Sequence, residues 1–212
     1  MENWTASLEP LLKQYGKRKH PLDYKNRYQL VVMVILSARD SDKHINNIAV
    51  KFFEGYPSIA HLARATIEDL HQHLSSVPNF NNKSEWLIKL ANMVGTDDKI
   101  PTTLDELTTL PGIGHKSANV IIRESGGNAE GIIVDLHVIR VAPRIGLATG
   151  TNPEKIEKQL MEIIPQTKWN EAGMALSFLG REICRPTNPK CPVCVMNPVC
   201  QYYNQVLKGS KS

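Results

Sequence analysis

Leu110-Pro111-Gly112-Ile113-Gly114-His115-Lys116 stands between two stretches of helical spacing, Leu104 to Leu110 and His115 to Arg123. Pro111-Gly112 stops the first helix, and two glycines one residue apart allow a tight turn with positive φ. The second helix opens at once. Its first N–H groups, with those of the glycines, can converge on one anion, and a nucleic-acid phosphate fits. An ordinary helix–helix turn would account for the glycine pair taken alone. Lys116 argues for more. A lysine in a first helical turn opposes the macrodipole and needs a reason to be there. The positive helix end, with partial burial, favours the uncharged amine, the nucleophile that forms Schiff bases.

Outward from this hairpin the chain keeps reading as helices with short connections. Apolar residues recur at helical spacing in Thr5–Tyr15, Tyr28–Ser37, Asp42–Phe53, Ser58–Arg64, Thr66–Leu74 and Asn82–Met93. After Gly126-Gly127 the pattern resumes in Val134–Ile145, Pro153–Ile164 and Trp169–Glu182. Thr66 before Glu68 and Asp69 reads as a helix cap. Lys17-Arg18-Lys19-His20 reads as a linker, Ile132-Ile133-Val134 as a short extended piece, and Lys208–Ser212 as a frayed tail. Trp86 and Trp169 read as core residues. About ten helices and almost no strand signal predict an all-α protein. Asp135 closes an apolar run and opens a helix. By itself that placement suits an N-cap.

All four cysteines fall in the last stretch, Cys184, Cys191, Cys194 and Cys200, as C-x6-C-x2-C-x5-C. A disulfide framework would spread them along the chain, so one metal site is expected. Structural zinc usually takes two close pairs, and here only the middle pair is close. Uneven, proline-stiffened arms suit a cubane iron–sulfur cluster with four separate corners. Zinc and unmetallated thiols stay open on spacing alone.

The 212 residues, 42% of them apolar, are enough for one large domain or two small ones with a buried core. The longest apolar run, Leu30 to Leu36, is far short of the roughly 20 residues a membrane helix needs. Met1-Glu2-Asn3-Trp4 carries no basic, then apolar, export pattern. A cytoplasmic, nucleoid-associated location is expected. Lys and Arg number 25 against 21 Asp and Glu, a balance of +4 that permits a nucleic-acid partner without requiring one.

Four segments together resemble the endonuclease III family of DNA glycosylases, in the helix-hairpin-helix superfamily. They are Leu36-Ser37-Ala38-Arg39-Asp40-Ser41-Asp42, Leu110 to Val120, Val134 to Val141, and the cysteine tail. Their order and distances match the family over roughly Tyr28 to Cys200. The resemblance implies two lobes with a DNA cleft between them: a six-helix barrel over residues 22–131, and a lobe of residues 1–21 and 132–212 holding a [4Fe–4S] cluster on the four cysteines. It implies Lys116 as catalytic lysine and Asp135 as catalytic aspartate. The hairpin residues Leu110, Gly112, Ile113, Gly114 and His115 would grip phosphate, with His137 a further backbone contact. The implied activity is removal of damaged bases, oxidised pyrimidines first among them, from duplex DNA. Abasic-site lyase chemistry through a lysine Schiff base would follow, carried out by a monomer. A mismatch or other-lesion glycosylase, or a non-catalytic DNA-binding iron–sulfur protein, are the alternatives.

Three positions depart from the family's usual pattern. Arg39 replaces glutamine, Asn79 stands before Phe80 in place of an apolar wedge, and Leu136 follows Asp135 in place of a small polar residue. The first two, with Phe80, are expected to fill the gap left by a flipped nucleotide and to meet the opposite base. Arg39 could reach a guanine edge, or a phosphate. Asp42 is expected as a helix cap or as a lesion-pocket acid.

Overall fold

The computed structural model describes residues 3–208. They divide into two compact units: His20–Gly127 is one, and the stretches up to Lys19 and from Asn128 onward form the other. All regular structure among the described residues is helical. In chain order the α-helices are α1 (Trp4–Ser7), α2 (Glu9–Tyr15), α3 (Arg27–Leu36), α4 (Asp42–Gly55), α5 (Ile59–Leu62), α6 (Ile67–Leu74), α7 (Phe80–Val94), α8 (Leu104–Thr108), α9 (His115–Glu124), α10 (Leu136–Ile145), α11 (Pro153–Ile163) and α12 (Trp169–Glu182). The frayed-tail expectation for Lys208–Ser212 concerns residues that, from 209 on, lie outside the described ones.

In the His20–Gly127 unit α3 is the central element. Tyr28 and every residue from Leu30 to Leu36 are buried, and α4, α7 and α9 pack around it. A helix that is apolar on all sides has to be enclosed. The Thr66 expectation holds as a full capping box. Thr66 accepts from Asp69 N–H at 3.1 Å, and Asp69 accepts from Thr66 N–H at 3.0 Å. Gly126-Gly127 ends α9 as expected. Gly126 sits at φ +77°, its N–H donates to Arg123, and the Gly127 N–H donates to Ile122. These two bonds make a Schellman stop.

In the other unit α12 is central, with Ala172 to Gly180 buried without interruption between α2 and α10. Tyr15 stacks on Phe178 with ring centroids 6.4 Å apart. The single helix expected over Thr5–Tyr15 is two, broken at Leu8, because Pro10 suits the opening turn of a new helix and not the interior of an old one. Ile132-Ile133-Val134 is buried but forms no strand. Its Ile132 N–H is taken by Glu157 Oε1 at 3.1 Å instead of by a sheet partner.

Candidate active site and cysteine centre

The hairpin runs from α8 through residues 109–114 into α9. Leu110 and Ile113 are 5% and 4% exposed, so their side chains anchor the turn in the core and leave only backbone to offer a ligand. Gly112 takes φ +79°, and a Cβ there would come within 2.9 Å of the Trp86 ring. Gly114 departs from expectation. Its φ is −93° with ψ 177°, the extended geometry normal for an N-cap, so positive φ is needed once in this hairpin and not twice. A Cβ on Gly114 would meet nothing within 4 Å. Its bare backbone therefore fronts open space at the positive end of α9, where an anion has room to approach. Trp86 is half-buried, a support for the hairpin more than a core residue. Trp169 is half-buried too, with its ring N–H donating to Ile164 at 2.8 Å.

His115 and Lys116 are the first two residues of α9, and both side chains are exposed. The partial burial expected of Lys116 is absent. The buried residues Ala118 to Ile122 run all the way round α9, and His115 and Lys116 are exposed because they precede that run, in the opening turn. The amine is thus held at a helix N-terminus, on the solvent side.

Asp135 is the N-cap of α10, as its sequence position suggests. Its Oδ1 accepts from the N–H groups of His137 at 2.8 Å and Val138 at 2.9 Å. The carboxylate also does something a cap does not require. Oδ2 accepts from Ser177 Oγ at 2.6 Å, and Ser177 is fully buried on α12. The reason lies in the spacing Gly173, Ser177, Gly180, which puts three small residues on one face of α12. A Cβ on Gly173 would come within 2.5 Å of the Ile133 carbonyl, and one on Gly180 within 2.8 Å of His137 Cβ. The segment from Ile133 to His137 lies directly against this stripe, and Ser177 meets Asp135 in its middle. Sequence reasoning missed Ser177. The available signal was a run of small residues inside an otherwise apolar helix. His137 is half-buried with Nδ1 3.3 Å from Arg140 Nη2, and Leu136 beside it is 67% exposed.

The four cysteines form no disulfide and line a single cavity with Ile145, Leu179 and Tyr202. No group of three or more His, Cys, Asp or Glu side chains among the described residues is placed to hold a single metal ion. Four thiols around one apolar cavity suit a cluster that is ligated at separate corners. The electrostatics agree. Burial pushes the Cys194 thiol up to about 11, and burial with the neighbouring thiols also raises Cys191 and Cys200. A set of this kind ionises together only around a cationic partner. Two arginines of α10 brace the loop. Arg140 Nε donates to the Cys184 carbonyl at 3.1 Å. Arg144 donates to Arg185 at 2.8 Å, to Pro186 at 3.2 Å and to Cys184 Sγ at 3.6 Å. The helix that opens with Asp135 thus anchors the cysteine loop at its other end.

Arg39 and Asn79 are exposed, and both adopt left-handed backbone at φ 62° and φ 59°. Phe80, the first residue of α7, is half-buried against His71 with centroids 4.8 Å apart. Asp42 is not the cap of α4. Ser41 is, accepting from His44 N–H at 3.2 Å, and Asp42 is the first helical residue.

Residues 32–166 match the family described as HhH-GPD superfamily base excision DNA repair protein. An endonuclease III of Synechocystis sp. is 33% identical over 198 residues, covering 92% of this chain and 90% of the relative. A non-covalent endonuclease III–DNA complex superposes with a TM-score of 0.85 at 31% identity over 96% of both chains. A trapped endonuclease III–DNA covalent intermediate, described as an estranged-adenine complex, gives the same TM-score and identity over 95% of this chain and 96% of the other.

Proposed function

The chain belongs to the HhH-GPD superfamily of base excision DNA repair proteins, within its endonuclease III family, and we propose how its residues divide the work. The activity is that of a base-excision DNA glycosylase with abasic-site lyase chemistry. A damaged base stacked in a duplex cannot be reached and has to be turned out of the helix. Asp135, ionised, stabilises positive charge on the deoxyribose as the glycosidic bond breaks. The Lys116 amine attacks the anomeric carbon, and the base leaves. Ring opening gives a Schiff base between Nζ and C1′. That iminium makes the C2′ proton acidic, its loss expels the 3′ phosphate, and the strand is cut on the 3′ side. Water then releases Lys116. The hairpin at Gly112 and Gly114 and the opening turn of α9 grip a backbone phosphate, with His115 and His137 beside other phosphates. Arg39, Asn79 and Phe80 fill the gap in the duplex and meet the opposite base. Asp42 is kept as a lesion-pocket residue.

Cys184, Cys191, Cys194 and Cys200 would hold a [4Fe–4S] cluster, which supplies four metal–thiolate bonds as a cross-link for residues 184–200. About four irons per chain and a yellow-brown colour are expected, and a colourless protein with one zinc would remove the cluster from this reading. Residues 22–131 are assigned as the hairpin domain and the remainder as the cluster domain. The preferred lesion is an oxidised pyrimidine, the protein acts as a monomer, and its place is with the nucleoid. Among the described residues no helix is long and apolar enough to cross a membrane.

The observation that carries the reading is Lys116 at the opening of α9 with an uncluttered glycine backbone before it. Incubation with modified-base and abasic duplexes tests it. Nicking supports lysine chemistry, base release without nicking favours a monofunctional glycosylase, and binding alone favours a non-catalytic protein.

A further inference from the structure

Arg39 and Asn79 share more than their proposed place on the opposite strand. Asparagine tolerates the left-handed region, but arginine enters it against its own Cβ. Such strain persists only where the surroundings hold it. Two devices on neighbouring elements do so. The first is Lys83, on α7 four residues after Asn79 and only 1% exposed. Its Nζ donates to the carbonyls of Leu36 and Ala38, each at 2.8 Å. Its backbone N–H donates to the Asn79 carbonyl at 3.1 Å. A single residue thus fastens the peptide just before Arg39 to Asn79, the N-cap of α7. Burial works against the ammonium charge there, and the Asp40 carboxylate works for it. A cation so placed stays charged only while its acceptors are in position.

The second device is a chain of side chains across the same two loops. Asp40 follows Arg39, and its Oδ1 accepts from Ser41 N–H at 2.7 Å. Its Oδ2 accepts from His44 Nδ1 at 2.7 Å. The far nitrogen of that ring, Nε2, lies 3.2 Å from Ser76 Oγ. Ser76 belongs to the turn that leads into Asn79. The Arg39 loop and the Asn79 loop are therefore bracketed twice, by Lys83 from the buried side and by His44 from the outer side.

We infer that Lys83 and the Asp40–His44–Ser76 chain are positioning residues that couple Arg39 to Asn79, so that the two discriminate the opposite base as one unit. The inference rests on the reading of Arg39 and Asn79 given above. Independent loops would contribute to selectivity additively in free energy, whereas residues sharing a network do not.

A mutant cycle tests it. The probe is a duplex with one abasic site opposite guanine or adenine, and the readout is the ratio of the two single-turnover nicking rates. Arg39→Ala, Asn79→Ala and their combination are made in the parent and in Ser76→Ala. In the parent, the double variant's ratio should differ from the product of the single effects by about three- to tenfold. In Ser76→Ala the discrepancy should shrink to less than about twofold, with melting temperature unchanged. Asp40→Ala should do the same. Asp40→Asn should restore the coupling, because its amide can donate to the other tautomer of His44. Lys83→Met is expected to lower stability, so the exposed Ser76 end carries the test. Multiplicative effects in the parent, or coupling that survives Ser76→Ala, would overturn the clamp and leave the opposite-base reading intact. If neither Arg39→Ala nor Asn79→Ala moves the ratio, the opposite-base reading falls and the clamp with it.

Discussion

Asp135 and Lys116 both stand at helix N-termini, and the two ends are built in opposite ways. The carboxylate has three donors, from His137, Val138 and the buried Ser177, and it sits against a stripe of small residues. The amine is exposed on the outer side of α9, behind a glycine that crowds nothing. The difference follows the work proposed for each. A charge that stabilises a transition state acts best when it is fixed beforehand. A nucleophile has to travel: it forms a bond, carries the sugar through elimination and lets go. Rigidity serves the first role and would hinder the second.

The comparison breaks most visibly at Lys116. Lys116→Gln keeps the approximate length and removes the amine, so borohydride should trap no protein–DNA adduct and nicking should vanish while binding persists. Because the side chain is exposed, the melting temperature should stay at the parent value. An adduct formed by this variant would move the nucleophile elsewhere. Asp135→Asn comes next. Its Oδ1 can still cap α10, so stability should change by about 1 kcal/mol at most. The base-excision rate should fall on the order of 100-fold or more, which single-turnover assays would show. Near-parent excision would reduce Asp135 to a cap.

Ser177→Ala sharpens the contrast further. It leaves the charge and the cap in place and removes the donor to Oδ2, together with the oxygen that accepts from Arg181 Nε at 3.4 Å. A loss of about tenfold in kcat with KM little changed is expected if orientation matters beyond capping. A KM effect alone would place Ser177 in binding instead. The smallest effects separate the two hairpin glycines. Gly112→Ala meets both positive φ and the Trp86 ring at 2.9 Å, so chemical denaturation should show a loss of about 2 kcal/mol. Gly114→Ala meets neither and should leave stability within about 0.5 kcal/mol. Gly114→Val should weaken DNA binding to all sequences alike, because a backbone grip on phosphate reads no base.

What the sequence made legible was local. The α9 stop at Gly126-Gly127, the Thr66 box and the Asp135 cap each depend on residues within one turn, and each is where the residue types place it. The seat of Asp135 was not legible, because Gly173, Ser177 and Gly180 acquire meaning only against Ile133 and His137, some forty positions earlier. The exposure of Lys116 was not legible from helical phase, since it shares a face with the buried Asn119 and Val120; its place in the opening turn of α9 is what leaves it in solvent. Lys83 carried a signal as well. It shares a face with Leu87, Leu90 and Val94, and a lysine on an apolar stripe is either misplaced or satisfied by buried acceptors. The brace from Arg144 to the cysteine loop had no local signature, as its two shorter bonds go to carbonyls that any residue provides.

The first helices of the chain belong to the same compact unit as its last ones, with residues 20–127 inserted between them. On a ribosome this sets an order of events. At roughly 5–20 residues per second, Phe178 follows Tyr15 out of the ribosome after on the order of ten seconds. For that time Leu11, Leu12 and Tyr15 have no α12 to cover them, while residues 20–127 already hold everything their own core requires. The nascent chain therefore carries the apolar face of α2 uncovered until α12 is made, and residues 20–127 behind it complete their own core first.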